Sequence, residues 1–457
     1  MTHQINDPES VLVDLFDPDI LRPGEDGSVA TLKPASVEDV SAIVRICAEN
    51  TIAIVPRGGN SNVCRMTEPP AGVDFVFVDL AMMNRILEVN PAANTITVEA
   101  GCILQDVQEA ARAQNRIFAP DWGARGTAMV GGAVATNGGG LNVVRYGTTR
   151  EQVLGIEAVL PDGRIWNGLR SLRKDNSGYD LKHLLIGSEG TLGIITKMVM
   201  RLHPLPRHSN SMLAVLTDQV HLSDLLNLAQ SVAGDRLAAF ELMNGIGVEK
   251  ALERYPALTW PLDTKSDWYV LIRLAGPNPV DDSLASVFEA GFEHGYVADA
   301  VMAQNSKQED NLWEIRDQMI PIQYFPDRRH CKWDVSVPID AIVPFLSAAQ
   351  SICARHQRSA IPYAVGHVGD GNIHYSIFPA EDPDEDMDAL CDTYLKEIDA
   401  LIWSMGGSVS AEHGVGAAFI DRIRSQKSDV EYDLMQAVKL ALDPKGIMNP
   451  QKLLAGA

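Results

Sequence analysis

The stretch GTAMVGGAVATNGGG, residues 126–140, decides how this chain is read. Its glycines are too dense for a stable helix or strand, so it is expected to be backbone that something approaches closely. A flexible surface loop is the plain alternative, and the apolar Met129, Val130, Val134 and Ala135 speak against it. Two further segments read the same way. PRGGNS, residues 56–61, directly follows a predicted strand, Ala53 to Pro56. There, missing side chains let backbone N–H groups close on an anion such as a pyrophosphate, although an ordinary turn would look similar. IGSEGTLGIIT, residues 186–196, returns to an apolar strand and reads as backbone laid along a flat ligand.

Around these segments the hydrophobic period alternates between helix and strand. A helix is predicted from Val40 to Asn50, and strands from Phe75 to Leu80 and Thr95 to Ala100. HPLPRHSNS, residues 203–211, breaks the pattern and places a boundary near residue 206. Beyond it come a helix (Leu222 to Val232), a strand (Trp268 to Leu274), a helix (Asp281 to Glu293), the acidic break at 381–388, a helix to about Met405 and a last helix, Val430 to Leu442. The expectation is an α+β protein: an N-terminal segment 1–25, a first domain 26–206, a second 207–400 and a C-terminal helical part 401–457 that completes the site.

The chain has 457 residues, enough for two or three cores, and 46% hydrophobic against 21% charged residues, the balance of a globular protein. A formal net charge of -22 makes a nucleic-acid partner unexpected. An enzyme acting on small acid anions would then need local positive charge. The six cysteines are scattered without CxxC pairs, which favours a reducing compartment. The start MTHQINDPES has no signal-peptide pattern and no apolar run approaches membrane-spanning length. A cytoplasmic protein is expected, with peripheral membrane contact left open.

Together with RYGTTREQVLGIEAVLPDG (145–163) and LRKDNSGYDLKHL (172–184), the three glycine segments resemble the FAD-binding domain of the vanillyl-alcohol-oxidase (PCMH-type) flavoproteins. Within that superfamily the chain, from about residue 26 to its end, is most similar to the D-2-hydroxyglutarate dehydrogenase branch of the FAD-dependent D-2-hydroxy-acid dehydrogenases. The resemblance implies a two-lobed FAD domain, an α+β substrate domain and a C-terminal helical part. It assigns FAD contacts to Arg57, Gly58, Gly59, Asn60 and Ser61 in the pyrophosphate loop. Pro120, Asp121, Thr127, Gly131, Gly132, Thr136, Asn137, Gly139 and Tyr146 join them in and after the main flavin loop, then Glu189, Gly193, Ile194 and Ile195, and finally Asn449 in DPKGIMNP. Relatives that tether the flavin often use a histidine after the paired glycines. Here that position is Asn60, so the FAD is expected to be non-covalent.

The C-terminal half carries a second constellation. GHVGDGNIHYSIF places His367 and His374 an odd number of residues apart, on opposite faces of any straight strand. A turn at Gly369 to Asn372 would let them converge. SAEHGVG adds Glu412 and His413. Two imidazoles and a carboxylate suit zinc first, with manganese or iron as alternatives. Each histidine alone would more often be a hydrogen-bonded structural residue. The resemblance makes His367, His374 and Glu412 the metal ligands and His413 the general base. It assigns Arg316, Lys332 and Asn372 to the substrate, and these two cations answer the need for local positive charge.

The implied reaction oxidises a D-2-hydroxy acid, D-2-hydroxyglutarate or D-lactate-like, to the 2-oxo acid. Hydride passes to flavin N5 and electrons to a separate acceptor, a quinone or electron-transfer protein. A homodimer is expected. Between Arg316 and Lys332 the residues Met319, Ile320, Ile322, Tyr324 and Phe325 are apolar, which argues for a substrate side chain less polar than that of hydroxyglutarate. Two rival readings are a non-redox flavin-dependent alkyl transferase and a non-catalytic flavin-binding subunit of a larger complex. Neither would need the histidine and glutamate set.

Overall fold

The computed structural model describes residues 19–322, 330–357, 359–378 and 386–455, and the chain divides into two compact units. The first takes in the chain up to Gly140, Tyr146–Leu205 and the segment from Glu412 onward. The second takes in Leu141–Arg145 and Pro206–Ala411. Two of the expected boundaries therefore move. The strand Leu21–Pro23 pairs with Ala30–Leu32, so the first sheet begins before residue 26. The C-terminal part set apart from residue 401 divides at Glu412, and the chain from there on is built into the first unit. There the Ile54 N–H donates to the Ile447 carbonyl at 2.7 Å, the Asn449 N–H donates to the Ile54 carbonyl at 2.8 Å, and Met448 lies fully buried in the core.

Among the described residues, the two larger sheets of the first unit share one hydrophobic core. In the four-stranded sheet, Ala30–Leu32, Phe75–Asp79 and Ala53–Arg57 run parallel. Parallel strands need both faces covered. The helix Val37–Asn50, which a Ser36/Asp39 capping box starts, supplies Val40, Ile43, Val44 and Cys47 to the core. The five-stranded sheet is antiparallel, with Ile194–Arg201 between Thr95–Glu99 and Val153–Val159.

The central glycine segment departs from expectation. Val130–Thr136 is a short helix ended by Asn137 in the left-handed region, φ 53°. Packing overrides the poor helix propensity of its glycines. A Cβ at Gly131 would stand 2.6 Å from the Ala100 side chain, and the Gly131 N–H donates to the Ala100 carbonyl at 2.8 Å. The missing side chain is what lets this helix lie against the sheet.

The second unit is built on a seven-stranded antiparallel sheet, in spatial order Val297–Met302, His208–Leu216, Trp268–Gly276, Leu237–Asn244, Ile361–His367, Asn372–Phe378 and Cys331–Ser336. Alternation gives each strand two faces. One face presents Leu213, Ala239, Met243, Leu271 and Val365 to a core completed by the helices Gly245–Arg254 and Ser306–Ile322, through Val248, Trp313, Ile315 and Met319. Tyr375 faces the other way, edge-on to Phe345 of the helix Ile342–His356. Among the described residues no helix is long and apolar enough to cross a membrane.

Candidate active site

The register of the second unit's sheet assembles a polar cluster on the face that also carries the apolar core. Glu241 pairs with His367, His367 with Asn372 and Asn372 with Ser336, a row across four strands. The next row is Met243, Val365, His374 and Asp334, and Lys332 pairs with Ser376 in the one after. The turn that makes this possible is Val368–Asp370, closed by Gly371 at φ 87°. It folds the odd spacing of His367 and His374 into a hairpin that leaves both on one face, their ring centroids 5.5 Å apart and nearly perpendicular at 81°.

Two acids that the sequence motifs do not single out stand behind these histidines. Glu241 accepts from His367 Nδ1 at 2.8 Å, and from Arg316 Nε at 2.9 Å and Nη2 at 2.8 Å. Burial alone would raise its pKa, but the Arg316 charge and the hydrogen bonds from His367 and Arg316 hold it below the ordinary carboxylate range. Asp334 Oδ1 lies 3.6 Å from His374 Nδ1 and accepts from Asn372 Nδ2 at 2.9 Å. Both acids had a sequence signal. LAAFELMN is a strand buried at every position, and a lone glutamate there needs partners. Asp334 sits likewise among Trp333 and Val335 in the strand Cys331–Ser336.

The remaining second-unit residues divide by burial. Arg316 is 5% exposed, and its Nε and Nη2 edge is committed to Glu241 while Nη1 donates to Asp317 at 3.2 Å. Lys332 is exposed, yet lost hydration still pulls its ammonium below the ordinary lysine range. Asn372 Nδ2 serves Asp334 and the Val335 carbonyl, which identifies Oδ1 as the oxygen, and that buried atom has no hydrogen-bond partner among the described residues. Of the apolar residues expected to line a substrate pocket, Met319 is fully buried in the core, where its carbonyl accepts from Tyr363. Ile320 packs on the same core. The Ile322 side chain, Tyr324 and Phe325 lie outside the described residues. Met319 and Ile320 are accounted for by packing and carry no information about substrate polarity.

In the first unit the glycine segments meet. A Cβ at Gly59 would fall 1.8 Å from the Thr127 carbonyl oxygen, and one at Gly58 would touch Met129. Arg57 ends its strand over the Phe77 ring and pairs with Glu25; Asn60, at φ 49°, and Ser61 are exposed. Gly132 faces open space, one turn from Thr136, whose hydroxyl donates to the Gly132 carbonyl. The Pro120 carbonyl and the Asp121 side chain both accept from Gln108, and Asp121 bridges to Gly140. Asn137 accepts from the Arg150 N–H, and Tyr146 packs on His203. Gly139 lies against Glu412, whose Oε1 accepts from the Gly140 N–H at 2.6 Å. Ile194 and Ile195, just after Gly193 at φ 155°, are core residues paired with Val159 and Ala158.

Glu189 and Asn449 tie three chain segments together. Glu189, at φ 53°, accepts from the Val415 and Gly416 N–H groups, each at 2.7 Å, although burial pushes its carboxyl pKa up overall. It thereby fixes the loop that carries the half-buried His413. Asn449 donates to the Glu189 carbonyl at 2.7 Å and to the Met66 carbonyl, so its Oδ1 is the atom left buried with no partner among the described residues. A buried acceptor with no donor among the described residues is what a ring N–H of a bound flavin would satisfy, so these residues fit FAD. Glu412 begins one peptide bond beyond Ala411, whose N–H donates to Asp334 Oδ2 at 3.1 Å. His367 and His374 in the second unit and Glu412 in the first each carry a ligand atom of a type suited to a divalent transition metal.

Comparison with known proteins agrees with this architecture. Residues 29–168 match the model of the FAD binding domain, and residues 205–453 that of the FAD linked oxidases, C-terminal domain. The chain is 35% identical over 427 residues to a mitochondrial D-2-hydroxyglutarate dehydrogenase of Arabidopsis thaliana, covering 93% of this chain and 74% of the relative. It is 34% identical over 456 residues to that of Bos taurus, covering 98% and 81%. Among solved structures, an alkyldihydroxyacetonephosphate synthase matches with a TM-score of 0.73 at 21% identity, over 98% of this chain and 86% of the other. A p-cresol methylhydroxylase matches at 0.68 and 19%, over 97% and 95%. At such identities the structural matches speak for the fold alone.

Proposed function

Since this chain belongs to the family of FAD-dependent D-2-hydroxy-acid dehydrogenases, we propose that it oxidises D-2-hydroxyglutarate, or a D-lactate-like acid, to the 2-oxo acid and passes the electrons to a separate acceptor. The observation that carries the reading is the buried polar row Glu241, His367 and Asn372 with His374 beside it, on the sheet face that also carries the apolar core. Buried imidazoles, a buried guanidinium and an amide with an unsatisfied oxygen are costly there, and a ligand that uses them accounts for the cost.

In this proposal His367 and His374, with Glu412 supplied from the residue after the Asp334-anchored Ala411, hold a divalent ion. Bound FAD supplies the hydride acceptor, and a bound ion supplies the charge that brings a hydroxyl's pKa within reach of a histidine. His413 takes the hydroxyl proton, and its loop is held against drift by Glu189. Asn372 Oδ1 can only accept, so it suits a hydroxyl donor better than a carboxylate. Lys332 and Arg316, whose Nη1 carries a second N–H beyond the one given to Asp317, supply the positive charge for substrate carboxylates. Six buried free cysteines support a reducing, cytoplasmic setting, which cell fractionation would check.

The decisive experiment is anaerobic mixing of the FAD-loaded protein with D- and L-2-hydroxy acids of varied side chain, monitored by the flavin absorbance. Bleaching by D-2-hydroxyglutarate or D-lactate, and by neither L-acid, is expected. Bleaching by L-acids only, or by no 2-hydroxy acid, would refute the proposal.

A further inference from the structure

Glu241 makes more contacts with the site than a structural ion pair requires. One carboxylate oxygen serves a histidine and the other an arginine, both of them residues proposed to act in the reaction: Oε1 accepts from His367 Nδ1 at 2.8 Å, and Oε2 from Arg316 Nε at 2.9 Å. An ionised carboxylate can only accept. The His367 proton therefore sits on Nδ1, and the ring lone pair on Nε2. Arg316 Nη2 stands 3.4 Å from both ring nitrogens, no closer to one than to the other, and so does not compete for the tautomer. On the guanidinium the same carboxylate occupies the Nε and Nη2 edge, which turns the Nη1 side toward the half-exposed Asp317.

We infer that Glu241 is a positioning residue for the proposed reaction: from one buried carboxylate it sets His367 as an Nε2 metal ligand and fixes the orientation of Arg316 toward substrate. The inference rests on the metal-dependent function proposed for this site. A carboxylate that holds the far nitrogen of a metal-ligating histidine raises the basicity of the ligand and fixes its ring, and losing one typically weakens metal binding. The competing explanation is a plain ion pair that fastens the helix Ser306–Ile322 to the sheet. It predicts lower stability but no change in metal affinity once the protein is folded.

Glu241→Gln keeps the volume and one acceptor, but it cannot accept from both partners. In the FAD-loaded protein, titration with Zn²⁺ or Mn²⁺ against a chromophoric chelator should show metal affinity weakened by about 10- to 100-fold, with FAD content unchanged. KM for the hydroxy acid should rise as Arg316 loses its anchor. Metal affinity indistinguishable from the unmodified protein would overturn the inference. If the variant does not fold, nitrogen NMR of the histidine rings in the unmodified, metal-free, FAD-loaded protein decides, with His367 assigned by its substitution. An Nδ1–H signal is expected and an Nε2–H tautomer would overturn it. Unmodified protein that binds no divalent ion would overturn the metal reading instead, and is told apart because the tautomer would still be Nδ1–H.

Discussion

Lys439→Met tests what holds the C-terminal segment in the first unit. Lys439 lies 6% exposed in the helix Asp429–Leu442. It donates to Asp443 Oδ2 at 2.6 Å and to the carbonyls of Thr191 and Met448, each at 2.9 Å. Burial pulls its ammonium below the ordinary lysine range, an effect that Asp443 offsets in part. Methionine keeps the length but removes the charge, which strands a carboxylate whose side chain is 0% exposed and leaves two carbonyls without this donor. Breaking a buried pair costs about 3–5 kcal/mol. Asp443 retains the N–H donors of Ile447 at 3.2 Å and Met448 at 2.9 Å, which places the loss at the lower end, about 3 kcal/mol. At roughly 2–4 °C per kcal/mol, the first melting transition should fall by roughly 6–12 °C. The assay is thermal melting recorded in parallel by far-ultraviolet circular dichroism and by flavin fluorescence, since the segment being released carries Asn449. Lys439→Met/Asp443→Asn should recover part of the loss, because the second change removes the stranded charge and keeps an acceptor for one of the two N–H groups, which bind different oxygens. A single variant that melts with the unmodified protein, or a double variant no better than the single, would refute the reasoning.

His413→Asn should leave FAD and metal bound and slow flavin reduction in stopped flow by about 10²- to 10⁴-fold, with partial rescue at high pH as hydroxide takes the proton. Loss of metal, with normal reduction once it is resupplied, would make His413 a ligand instead of the base. Chelation should abolish turnover while the flavin spectrum survives, because the flavin loops and the two histidines belong to different units; full activity in protein verified free of zinc, manganese and iron would remove the metal from the reaction. With Asn60 where tethered relatives carry histidine, acid precipitation should leave the yellow chromophore in the supernatant, and colour retained in the washed pellet would contradict that.

Much of this molecule is legible in its residues alone. The helix Asp281–Glu293 lies at the expected residues. GDGN is readable as a turn because glycine and aspartate there can only interrupt a strand. The expectations that fail share one cause. Val130–Thr136 looks too rich in glycine for a helix because propensity is a local quantity, and the contact with Ala100 that favours the helix is not local. Met319 looks like pocket lining because apolarity does not say which apolar face a residue joins. Glu241 and Asp334 escape notice as parts of the site because their partners lie across strand pairings, with Glu241 and His367 separated by 126 positions.

By itself the sequence determined the local chemistry: where the backbone bends, which segments are bare enough for a ligand to approach, and which residue types can ligate, accept a proton or hold an anion. Those properties belong to each residue and its near neighbours. Tertiary structure alone decided which of those groups share a face, which proton His367 carries, which edge of Arg316 is spent, and that the chain returns after Glu412 to the unit it began in. Register and burial set these outcomes. A one-residue shift in the pairing of the strand Ile361–His367 would turn His367 to the opposite face and away from Glu241, while the composition stayed unchanged.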